Sequence, residues 1–109
     1  MLEINNLIEI NKIFSNGEID KIDELNYTIL KINNSNNWID QIAFLLKALE
    51  SDNCFKYGNR ETAAACLLAS MECNKIPINQ DNVLKILFTI SKNHIVDIRR
   101  IKRIIKELI

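Results

Sequence analysis

Glycine occurs twice and proline once in this chain, at Gly17, Gly58 and Pro77. Sheets of short strands need turn residues about every 8 to 12 positions. A sequence with three such breakers in 109 residues therefore reads as long regular segments joined by polar loops. Asparagine supplies those loops, most plainly in the run Asn33-Asn34-Ser35-Asn36-Asn37. Between the loops the apolar residues recur three and four apart, the mark of a helix with one buried face.

Six helices follow from that spacing. The first covers Leu2 to Phe14 on Ile4, Leu7, Ile8 and Ile13, and Asn16-Gly17 stops it. The second covers Glu18 to Ile32 on Ile22, Leu25, Ile29 and Ile32. The third starts from an Asn37 cap with Asp40 in its first turn and carries Trp38, Ile42, Leu45, Leu46 and Leu49, which predicts the most buried helix. The fourth, Arg60 to Cys73, turns Ala64, Leu67, Leu68 and Met71 to one face, while Ala63, Ala65 and Ala69 let neighbours approach closely. The fifth, capped by Asn79, has Val83, Leu84, Ile86, Leu87, Phe88 and Ile90 around more than half its circumference, which predicts contacts on two sides. The sixth, Ile95 to Leu108, sets Ile98, Ile101, Ile105 and Leu108 against Arg99, Lys102, Arg103 and Lys106. The expected fold class is all-α, one helical domain over residues 1–109.

No run approaches the roughly 18 apolar residues of a membrane span. The opening MLEINNLIEINK has no basic segment followed by an apolar one, as a secretory leader would. A cytoplasmic protein without membrane contact is expected, with its three cysteines reduced and structural.

Taken in pairs, the helices make three antiparallel hairpins beginning near residues 2, 37 and 79. In the middle one, Arg60, Ala63, Ala64 and Leu67 stand at R-x-x-A-A-x-x-L with Asp52 upstream. This resembles the start of the second helix in a HEAT repeat, and the resemblance implies a short stack of hairpins. A compact six-helix bundle is the alternative arrangement.

Catalytic and ligand patterns are sparse. His94 is the lone histidine, and no C-x-x-C, H-E-x-x-H, G-x-G-x-x-G, Walker or EF-hand pattern occurs. Neither a cofactor nor a metal is expected, and no residue is assigned a catalytic role. Glu18, Asp20, Asp23 and Glu24 gather at the start of the second helix, where exposed carboxylates all stay ionised; they suit a helix dipole or a basic partner better than acid–base chemistry. Residues 1–52 hold nine acids against four lysines, and residues 53–109 hold ten Lys and Arg against five acids, so the net charge of zero conceals −5 and +5. Arg99, Lys102, Arg103 and Lys106 form a basic face suited to phosphate, although a pI near 6.6 speaks against nucleic acid as the main partner. Trp38 reads as core, and Tyr57 and Phe55, in a loop, read as exposed contacts.

A non-catalytic protein-binding module is the function these features suggest. In size, helix content and a composition rich in Ile and Asn, the chain is similar to the helical immunity proteins of bacterial contact-dependent inhibition and related toxin systems. That resemblance implies a cognate protein toxin, such as a nuclease, whose basic surface would meet the acidic one. The expected contacts are Glu18, Asp20, Asp23, Glu24 and Tyr57, on a chain that is monomeric when free. Two other functions stay open: a nucleic-acid-associated accessory protein using Arg99, Lys102, Arg103 and Lys106, and an adaptor whose acidic half meets the basic half of another copy.

Overall fold

In the computed structural model, which describes residues 1–109, the chain forms α1 (Ile4–Phe14), α2 (Ile22–Asn33), α3 (Trp38–Leu46), α4 (Asn59–Cys73), α5 (Gln80–Lys92) and α6 (Ile98–Leu108). A π-helical turn, Lys47–Ser51, prolongs α3 and holds Leu49, which the spacing assigned to that helix. No strand forms; one isolated antiparallel bridge joins Ile19 to Phe55.

Local chemistry explains the boundaries. Asn37 Oδ1 accepts from the N–H of Ile39 at 2.8 Å, and Asn79 Oδ1 from that of Asn82 at 3.2 Å, so both expected caps form. Asp97 caps α6 through the Arg99 N–H, which moves the start of that helix from Ile95 to Ile98. Without glycine to end them, α4 and α5 close on Lys75 and His94, at φ of 57° and 51°. The following Ile76 and Ile95 N–H groups donate back to Met71 and Ile90 carbonyls, which satisfies the helix ends in a Schellman arrangement. His94 is therefore an exposed loop residue.

The helices pack in two rows. In one, α4 lies between α1 and α5; in the other, α3 lies between α2 and α6. The central helices α3 and α4 meet back to back, which is why α3 with its π turn buries Ile42, Ala43, Leu45, Leu46, Ala48 and Leu49. Ala63, Cys66, Leu67 and Met71 of α4 complete that centre, within a single cluster of 23 buried apolar residues. Stacked hairpins would set α1 beside α3 and α2 beside α4, whereas here consecutive helices share a row, α2 with α3 and α4 with α5. The arrangement is the compact bundle, and its 12.6 Å radius of gyration is close to the about 13 Å of a compact domain this long.

Position in the rows also corrects one side-chain expectation. Helix α5 ends its row, so Val83, Ile86, Leu87 and Ile90 are buried while Leu84 and Phe88 stay 45% and 52% exposed, and no further helix covers its second apolar side. Arg60 does not reach Asp52, which pairs with Lys47 at 3.0 Å. Its guanidinium instead grips the buried Glu50 carboxylate through Nε and Nη2 and lies 4.0 Å from the Phe88 ring centre.

Candidate protein-docking surface

Helix α2 starts at Ile22, later than its apolar spacing suggests, because the loop after the π turn competes for the preceding backbone. Asp20 and Lys21 both donate their N–H to the Cys54 carbonyl, at 2.8 and 3.0 Å, and Lys56 N–H donates to the Glu18 carbonyl at 3.0 Å. Of the four carboxylates, only Asp23 and Glu24 therefore occupy the first turn of α2. Glu18 and Asp20 lie on an extended approach to it, and all four are exposed.

This pairing builds one surface from two segments distant in sequence. Phe55 is one partner of the bridge and is 1% exposed, contrary to its reading as a surface contact, whereas Tyr57, next to the Lys56 whose N–H binds the Glu18 carbonyl, is 62% exposed. A residue that the spacing of charges and aromatics does not single out holds the two together. Asn11, fully buried on α1, donates from Nδ2 to the Tyr57 carbonyl at 2.9 Å and to Thr62 Oγ1 at 3.1 Å, and its Oδ1 accepts the Gly17 N–H at 2.9 Å. The available signal was an asparagine four residues after Leu7, on the apolar face of its helix. Gly58 lets the loop close there: at φ 75° it would carry a Cβ only 3.0 Å from that of Ser15.

Electrostatically the surface is mixed but predominantly negative. Glu18 meets Lys56 at 3.4 Å with both side chains half exposed, and Lys21 lies within the segment; Asp20, Asp23 and Glu24 take part in no ion pair. Helix α6 does not neutralise them, since α3 stands between α2 and α6. The segregation of charge along the chain is nonetheless partly offset in space. Lys56–Glu18, Arg60–Glu50 and Lys102–Asp40, the last at 2.6 Å, each join the acidic half to the basic half.

The other residues singled out by sequence fall elsewhere. Arg99, Lys102, Arg103 and Lys106 line one shallow depression of about 350 Å³ on α6. Burial, reinforced by the Asp52 and Glu24 carboxylates, pushes the Cys54 thiol up to about 12, and burial alone pushes Cys66 up to about 11. Both stay protonated near neutral pH and are poor nucleophiles there. Cys73 is exposed, which corrects its reading as a buried structural thiol. No three His, Cys, Asp or Glu side chains converge as metal ligands, and no helix is long and apolar enough to cross a membrane.

No protein-family model matches this chain, and no curated protein or solved structure matches it.

Proposed function

We propose that this protein is a non-catalytic binding module, and most concretely an immunity protein that captures a cognate toxin through the acidic edge formed by Glu18, Asp20, Asp23, Glu24 and Tyr57. The observation that carries this reading is the Ile19–Phe55 bridge. It ties the exposed Asp20 and Glu18 to the loop that carries Tyr57, which supports a reading in which a basic partner meets them at a small ordering cost on this side. Exposed aromatics with a charged surround are the usual composition of interface anchors, and fixed negative charge speeds capture of a positive surface.

The test is co-expression with candidate toxins encoded by neighbouring genes, read as rescue of growth and as affinity in vitro. Reversing Asp20→Lys with Asp23→Lys is expected to abolish rescue while shifting unfolding by less than about 1 kcal/mol, since both side chains are exposed. Undiminished rescue by the double variant would remove the acidic edge from the interface.

A further inference from the structure

Leu84 and Phe88, the large apolar side chains left open on α5, lie along its seam with α4. Ala64 and Leu68 of α4 and Gln80, Val83 and Leu84 of α5 line one depression of about 170 Å³. Phe88 stands one turn beyond Leu84, and its ring centre lies 4.0 Å from the guanidinium of Arg60, itself one turn before Ala64. The same two helices therefore carry the depression and, at the next level of the same seam, an exposed ring that does not line it. The two match in size. An apolar cavity of about 150 Å³ takes up benzene, so the depression has room for one phenyl ring.

The charges of this helix pair balance. Residues 59–92 hold Arg60, Lys75, Lys85 and Lys92 against Glu61, Glu72 and Asp81, and Arg60 is taken by the buried Glu50. The six that remain, three of each sign, take part in no ion pair. The face therefore selects neither a basic nor an acidic partner, and a chain of zero net charge does not repel a copy of itself.

We infer that two copies of this chain pair through the α4–α5 face about a twofold axis, with α5 antiparallel to α5 and Phe88 of each copy seated in the depression of the other. A twofold contact uses the same patch on both copies, so that patch must carry a projection and its receptacle together. This one does, whereas a foreign partner would need the receptacle alone. Gln80 in the depression and Phe88 lie four residues to either side of Leu84, which places Leu84 at the axis. Asp81 of one copy then comes within side-chain reach of Lys85 of the other, and apolar burial supplies the affinity. The dimer takes the place of the free monomer expected from sequence, and it does not rest on toxin capture.

The experiment is sedimentation equilibrium of the full chain over a concentration series reaching about 1 mM, at about 0.15 M and about 1 M salt. A monomer–dimer equilibrium is expected, undiminished at the higher salt because apolar burial drives it. Pairing of the acidic half of one chain with the basic half of another would dissociate there. Phe88→Ser, which removes the ring, and Ala64→Met, which fills the depression, are each expected to weaken the dimer about tenfold or more. Ala64→Met leaves Phe88 against Arg60, so it tests the contact even where Phe88→Ser disturbs the fold, and circular dichroism checks both. The inference is overturned if the chain stays monomeric throughout the series, if the dimer dissociates at high salt, or if neither variant weakens it. It is overturned equally if the monomer binds an uncharged amphipathic helical peptide in a Phe88-dependent way, which would make a foreign helix the occupant.

Discussion

At the acidic edge, two segments far apart in sequence are joined backbone to backbone, whereas the basic face belongs to one helix, α6, which makes no backbone–backbone hydrogen bond to its neighbours. The first arrangement aims Glu18 and Asp20 by main-chain hydrogen bonds from Asp20, Lys21 and Lys56, so the directions of these two depend on a loop being held in place, while Asp23 and Glu24 ride the first turn of α2. The second aims its cations by helical register, Arg99, Lys102, Arg103 and Lys106 following from spacings of three and four. The difference teaches which kind of surface is robust: helix-borne charge survives small changes in packing, and loop-borne charge depends on the buried groups that anchor the loop.

Removing the anchor should separate the two surfaces most sharply. Asn11→Ala leaves the Gly17 N–H, the Tyr57 carbonyl and the Thr62 hydroxyl without their buried partner. It is expected to cost about 3 kcal/mol in urea unfolding, with hydrogen exchange rising around residues 15–20 and 54–58 while α6 stays protected. Equal loss of protection in α6 would mean that edge and basic face form one cooperative unit.

A smaller effect is expected where the halves are tied together. Arg60→Ala strands the Glu50 carboxylate in the core. Because Arg60 itself is one-third exposed, the expected loss is about 2 kcal/mol, below the range for fully buried pairs. Glu50→Gln combined with Arg60→Ala should recover part of it, and no recovery would locate the loss in the Arg60–Phe88 packing instead of the charge.

The smallest effect concerns the basic face. Asp97→Ala removes the cap on the Arg99 N–H and should cost about 1 kcal/mol, with fraying confined to the first turn of α6. Toxin capture through the acidic edge is expected to be untouched, and a change there would show that the two surfaces communicate.

The helices, the Asn37 and Asn79 caps and the cationic face of α6 were legible because each depends on residues within about one helical turn of one another. The start of α2 was not. Ile22, Leu25, Ile29 and Ile32 have the right spacing, and Glu18 to Lys21 are compatible with extending the helix; only the competing Cys54 carbonyl and the loop at Lys56 draw that stretch away. Phe55 and Tyr57, two residues apart in one loop, look alike in sequence, yet one pairs with Ile19 and is buried while the other stays exposed. Helix α5 shows the same limit: its apolar circumference implied cover for Leu84 and Phe88, but its place at the end of a row leaves them open.

By itself, then, the sequence determined an all-helical chain, its loops and the sign of charge on each helix, because apolar period, capping and charge are properties of neighbouring residues. The tertiary structure decided that consecutive helices share a row, that the segment at Glu18 to Lys21 pairs with the loop at Cys54 to Lys56, and that Glu50, Asp40 and Glu18 draw cations from the other half of the chain. Those outcomes rest on competition among distant partners for a few buried hydrogen bonds and for space in one core. No local pattern encodes the result of that competition.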